Sequence, residues 1–90
     1  VFGAARDKDW EEMLRILAPH VDTGFMTRPD NPRACSPSLL AAASRFPVEC
    51  VQSVADAFVL ARSRAAKRDR ILVTGSFSVA GEVLEELKRS

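Results

Sequence analysis

The sequence predicts an α/β domain: a three-layer, Rossmann-like parallel sheet flanked by helices, built from four β-α units and truncated at its amino terminus. Three observations predict it. Short apolar runs alternate with helix-period segments along all 90 residues, the pattern of parallel strands joined by right-handed helical crossovers. Ile71-Leu72-Val73 is wholly apolar, which suits a strand covered on both faces. Residues 70–82, RILVTGSFSVAGE, read as strand, tight turn and helix in succession. Gly75 permits the turn, Ser76 or Ser78 caps the helix, and Val79, Val83, Leu84 and Leu87 fall at helix-face spacing. The chain opens at Val1 inside a candidate strand, so a fragment without its upstream part is expected.

The other elements follow in order. Val1–Ala4 is the first strand, and residues 5–8 form a polar loop. Asp9 stands three residues before Glu12, a capping-box pattern, and Trp10, Met13, Leu14 and Leu17 give the first helix one apolar face. Pro19 lies at or just past its end. Gly24–Thr27 is the second strand. In residues 28–34, RPDNPRA, the closely spaced prolines exclude a helix and Asp-Asn-Pro favours a turn. Ser36 caps the next helix with Pro37 at its first position, and Leu39, Leu40, Ala42 and Ala43 make its apolar face. That helix stops near Phe46-Pro47. Val48–Val51 is the third strand, placed near a sheet edge because Glu49 interrupts it. Ser53, with Asp56 at the third position, caps a longer helix. Its inner stripe is Val54, Ala57, Phe58, Ala61 and Ala65, while Arg62, Arg64, Lys67 and Arg68 face out. Gly81 inside the last helix costs about 1 kcal/mol relative to Ala, and close packing of that helix on the sheet is its expected reason.

Bulk properties narrow the function classes. A net charge of +1 implies neither a nucleic-acid nor a membrane partner. No apolar run approaches the roughly 18–20 residues that cross a bilayer. Cys35 and Cys50 are far apart, with no CxxC and no clustered His, and read as ordinary thiols of a reduced, cytoplasmic protein. His20, the single histidine, sits where it complements a helix dipole.

In a parallel sheet the carboxyl ends of all strands point one way, and ligands bind there. The loops after the first, second and fourth strands therefore emerge together. They carry Arg6, Asp7, Lys8 and Asp9; Arg28, Asp30, Asn31 and Arg33; and Thr74, Gly75 and Ser76. Cations, hydroxyls and a helix N-terminus at one edge suit a carboxylate or a phosphate. Each residue also has a plainer reading: Asp9 and Ser76 as helix caps, Lys8 as a solvated lysine, Arg33 as a donor to loop carbonyls. The inference rests on three separate loops agreeing. The chain has no GxGxxG fingerprint, no GxxxxGK[ST] loop and no nucleophile spacing. By itself it has no evident means of binding ATP or forming a covalent intermediate.

Phe2-Gly3-Ala4 with Asp7-Lys8-Asp9, then residues 27–34, TRPDNPRA, then Leu72-Val73-Thr74-Gly75-Ser76 resemble the folylpolyglutamate synthase / dihydrofolate synthase family. The similar part is its carboxy-terminal domain, the glutamate-ligase domain shared with the Mur ligases, and the resemblance covers nearly the whole chain. It implies that residues 1–90 are part of that domain, with the ATP-binding amino-terminal domain absent. It implies a reaction in which ATP phosphorylates a carboxylate of folate or dihydropteroate, and the amine of L-glutamate attacks the acyl phosphate. ATP and Mg²⁺ would be bound mainly outside this segment. By similarity, Lys8 and Ser76 hold glutamate carboxylates, with Arg33 a further candidate, and Asp7 or Asp9 orients the loop or the attacking amine. A cytoplasmic monomer is expected. The competing reading is a non-catalytic α/β module that binds a phosphorylated regulator. A receiver-like domain fails because the second strand ends in Thr27-Arg28, with no acceptor Asp before the proline.

Overall fold

The computed structural model describes residues 1–75 and 77–89, with side chains given for all of these except 77, 78 and 89. Four helices and a parallel two-stranded sheet make up the α/β fold. They are α1 (Trp10–Leu17), β1 (Gly24–Thr27), α2 (Pro37–Ala43), β2 (Val48–Val51), α3 (Val54–Arg64) and α4 (Phe77–Arg89). A 3-10 turn over Ala18–His20 follows α1 and contains Pro19. The pairing of β1 with β2 runs from Gly24 opposite Val48 to Thr27 opposite Val51.

Val1–Ala4 and Ile71–Val73, expected as strands, are not regular ones. Phe2 makes one parallel bridge to Met26 on one side and one to Thr74, just past Val73, on the other. Phe2 N–H donates to Phe25 O and Phe2 O accepts Thr27 N–H, each at 2.9 Å, while Thr74 N–H donates to Val1 O at 3.0 Å. The segments thus lie side by side in the order 74, 2, β1, β2, all pointing the same way.

Strand alternation splits the core into two layers. Met26 and Phe2 face Leu14 of α1 and Leu40 of α2, with Ala4 and Cys35. Phe25 faces Ala57 and Ala61 of α3 on the opposite side. Val54 and Phe58 of α3 meet Val79 and Val83 of α4, with Val1 and Val73 against them. All four residues of β1 are buried, as suits the inner strand of a covered parallel sheet. Glu49 and Cys50 of β2 are exposed, and β2 pairs with β1 alone, which agrees with its reading as an edge.

The caps are mostly local. Asp9 accepts Glu12 N–H at 3.4 Å and Ser53 Oγ accepts Asp56 N–H at 3.1 Å. Glu12 does not return the bond to Asp9 and pairs instead with Arg15, so the capping box is half made. Ser36 occupies the N-cap of α2, but its hydroxyl shares a hydrogen bond with Ser38 Oγ at 2.7 Å. The backbone carbonyl of Ser36 receives Leu39 and Leu40 instead.

Several expected apolar faces are only partly covered. Leu72 is 53% exposed, so the fourth segment is not enclosed on both faces. It borders an open cleft of about 630 Å³, lined also by Leu14, Leu17 and Phe46. Phe2 pairs with Thr74 of this segment on one side, and no described residue pairs with the segment on the other. Leu84 and Leu87 are exposed; among the described residues, α4 packs on α3 through Val79 and Val83. Leu39 and Ala42 likewise face outward, leaving Leu40, Ala41 and Ala43 to seat α2. Ala65 is the C-cap of α3 rather than part of its stripe. Gly81 does not mark close packing: a Cβ there would meet nothing within 4 Å.

Candidate functional site

The carboxyl end of the sheet is assembled around Gly3. A Cβ at Gly3 would lie 2.8 Å from Thr27 O, 2.9 Å from Val79 Cγ2 and 3.0 Å from Pro29 Cδ. The first segment, the end of β1, the loop after it and α4 thus converge on one small residue. Gly75 closes the same junction. Its φ of +112° is open to glycine, and a Cβ there would stand 2.1 Å from Gly3 O. Nothing local to Gly3 signals this role, because the contacts that require a glycine there come from residues 27, 29 and 79.

The loops after the first segment and after β1 are stitched together. Ala5 bridges Ala34 in antiparallel sense. Arg6 N–H donates to Arg33 O at 2.8 Å, Cys35 N–H donates to Ala4 O at 2.7 Å, and the Arg6 guanidinium reaches Pro32 O at 3.5 Å. Within the second loop, Asn31 Oδ1 accepts Arg33 N–H at 2.8 Å and Asn31 O accepts Ala34 N–H at 2.9 Å. This is the Asx-type turn that Asp-Asn-Pro favours. The third segment joins through Glu82 of α4, whose carboxylate accepts Asp30 N–H at 2.9 Å.

Against this frame the expected site residues take definite places. Arg33 stands 4.0 Å from Asp7, both side chains well exposed, an ion pair of small worth that leaves the guanidinium open to an exchange of partner. Lys8 is exposed in the same turn, where its N–H donates to Ala5 O at 3.1 Å. Asp9 is engaged as the cap of α1. Ser76 lies outside the described residues. Arg28 is exposed beside buried Pro29. The structure therefore brings Arg6, Asp7 and Arg33 together, with Lys8 next in the turn.

Two features of this end had no sequence signal. Glu82 is one acid among several on α4, and nothing in its spacing points to Asp30. Thr27, the last residue of β1, is fully buried, and its Oγ1 has no hydrogen-bond partner among the described residues. Away from the site, burial raises the pKa of the Cys35 thiol, which is free, as is the exposed Cys50. No group of His, Cys, Asp or Glu among the described residues could hold a metal ion, and no helix is long and apolar enough to cross a membrane.

The α/β fold with a parallel sheet agrees with the domain that the sequence resemblance implied. Residues 1–77 match the Mur ligase, glutamate ligase domain family, and the chain belongs to that family. Among solved structures it is similar to E. coli FolC in complex with DHPP and ADP, at 30% identity and a TM-score of 0.91. The likeness covers all of this chain and 22% of the FolC chain. No curated protein sequence matches.

Proposed function

We propose that this chain is the glutamate-binding part of an ATP-dependent ligase that joins L-glutamate to dihydropteroate or folate through an acyl phosphate. The observation that carries it is the convergence of three segments at the carboxyl end of the parallel sheet, with Arg33 and Lys8 exposed on adjoining turns. Family membership and the likeness to a protein solved with DHPP and ADP support it.

The residues present suit a dianionic amino acid. The Arg33 guanidinium offers a planar fork of donors for a carboxylate, and the Lys8 ammonium is a compact point charge for another. Ser76 joins them as a hydroxyl donor on the sequence resemblance alone. Asp7, now paired with Arg33, is positioned to yield it to substrate and to orient the loop or the incoming amine. Asp9 orients the turn by capping α1.

The chain carries neither a phosphate loop nor a metal-ligand cluster among its described residues. ATP and Mg²⁺ are therefore assigned mainly to residues outside this segment, where they would supply the activated acyl group. The contribution of this chain is binding and orientation of the nucleophile.

In the full-length enzyme, Lys8→Ala, Arg33→Ala or Ser76→Ala raises the KM for glutamate about 10- to 100-fold, the loss of one charge-assisted hydrogen bond. The KM for ATP stays near the parent value. Equal effects on both substrates refute direct glutamate contact. Residues 1–90 alone show no ATP hydrolysis dependent on folate and glutamate, and turnover by them would overturn the division of labour.

A further inference from the structure

Glu82 projects from α4, on a different element from Asp7, Lys8 and Arg33. Its Oε2 accepts the backbone N–H of Asp30 at 2.9 Å, across 52 positions of sequence. Asp30 opens the exposed part of the loop between β1 and α2. Pro29 before it is buried against Gly3, and Ala34 at the far end is buried and bridged to Ala5. Residues 30–33 span these two fixed points, and the orientation of Arg33 depends on the Asn31 turn that Asp30 precedes. The Arg33 side is tied by Arg6, and the Asp30 side by Glu82.

We infer that Glu82 is a positioning residue for the amino-acid-binding site: its carboxylate holds the Asp30 amide and so sets the turn that presents Arg33. This rests on the reading of Arg33 as a carboxylate ligand. Glu82 acts as a hydrogen-bond acceptor here, so its charge is dispensable and its reach is not. A glutamine keeps the acceptor oxygen at the same distance. An alanine removes it, and an aspartate draws it back by one methylene. A negative charge near a dianionic substrate is itself unfavourable, so losing charge without losing the acceptor does not weaken binding.

The test uses the full-length protein. Hydrogen exchange at the Asp30 amide accelerates about tenfold in Glu82→Ala, equivalent to about 1.4 kcal/mol, and stays near the parent rate in Glu82→Gln. The KM for glutamate rises about three- to tenfold in Glu82→Ala and in Glu82→Asp, while kcat and the KM for ATP change by less than about twofold. Glu82→Gln restores the parent KM. Unchanged Asp30 exchange in Glu82→Ala, or a Glu82→Gln variant as impaired as Glu82→Ala, overturns the inference. Arg33→Ala run in parallel separates the two levels. If Arg33→Ala raises the glutamate KM and Glu82→Ala does not, the role of Glu82 fails alone. If Arg33→Ala has no effect, the site reading fails and takes this inference with it.

Discussion

Gly75 and Gly81 stand six positions apart, and the same substitution moves stability in opposite directions at the two. At Gly75 the backbone has φ +112°, and an added Cβ would be 2.1 Å from Gly3 O, 3.0 Å from Gly3 C and 3.1 Å from Gly3 N. The obstruction is backbone, and Gly3 cannot retreat, since Thr27 O, Val79 and Pro29 already crowd it. Gly75→Ala therefore combines a disfavoured φ with a clash that only main-chain movement relieves. Together these cost about 3–5 kcal/mol, a large share of the roughly 5–15 kcal/mol available to a domain. At Gly81 nothing lies within 4 Å of the new Cβ, and the residue is inside α4. Gly81→Ala gains about 0.5–1 kcal/mol from helix propensity and reduced unfolded-state entropy. Urea denaturation followed by far-UV circular dichroism measures both. A Gly75→Ala variant within about 1 kcal/mol of the parent would refute the close approach of the fourth segment to Gly3, and with it the convergence on which the site depends.

Two further outcomes follow from single side chains. Thr27→Val replaces a buried hydroxyl that has no partner among the described residues with a methyl of the same shape, and stabilises the protein by about 1 kcal/mol in thermal denaturation; a loss of that size instead would show that the hydroxyl is bonded. The Glu12 carboxyl titrates below the ordinary glutamate value because Arg15 hydrogen-bonds to it, so the pair's contribution is present above the unfolded-state pKa and is lost as pH falls through the folded-state one. Carboxyl NMR titration sees Glu12 move back up toward that ordinary value in Arg15→Ala, and an unmoved titration would contradict the pairing.

Local signals located most of the elements. The Asp9, Ser36 and Ser53 positions start α1, α2 and α3, the prolines at 29 and 32 keep their loop out of helix, and β1 and β2 fall on the runs with strand character. The failures share a cause. Leu84, Leu87 and Leu39 have the right period for burial and Leu72 sits in an apolar run, but pattern says which residues share a face and not whether anything covers it. Gly81 looked like a packing glycine for the same reason, since a missing side chain is equally legible whether a neighbour fills the gap or solvent does. The site divides in the same way. Asp7, Lys8 and Arg33 were visible as charged residues after strands, and their motifs carried the family resemblance. The Glu82 bond to Asp30 joins residues whose separation leaves no mark on either neighbourhood.

The sequence alone determined the alternation of strand and helix, the parallel sense that helical crossovers impose, and the charged composition of the loops at one end. These are properties of neighbouring residues, set by backbone sterics and side-chain period. Only the tertiary structure decided that Gly3 is the point where three segments touch, that Arg33 faces Asp7, and which apolar faces are covered. Those depend on distances between residues remote in the chain, and such distances exist only once the layers have packed.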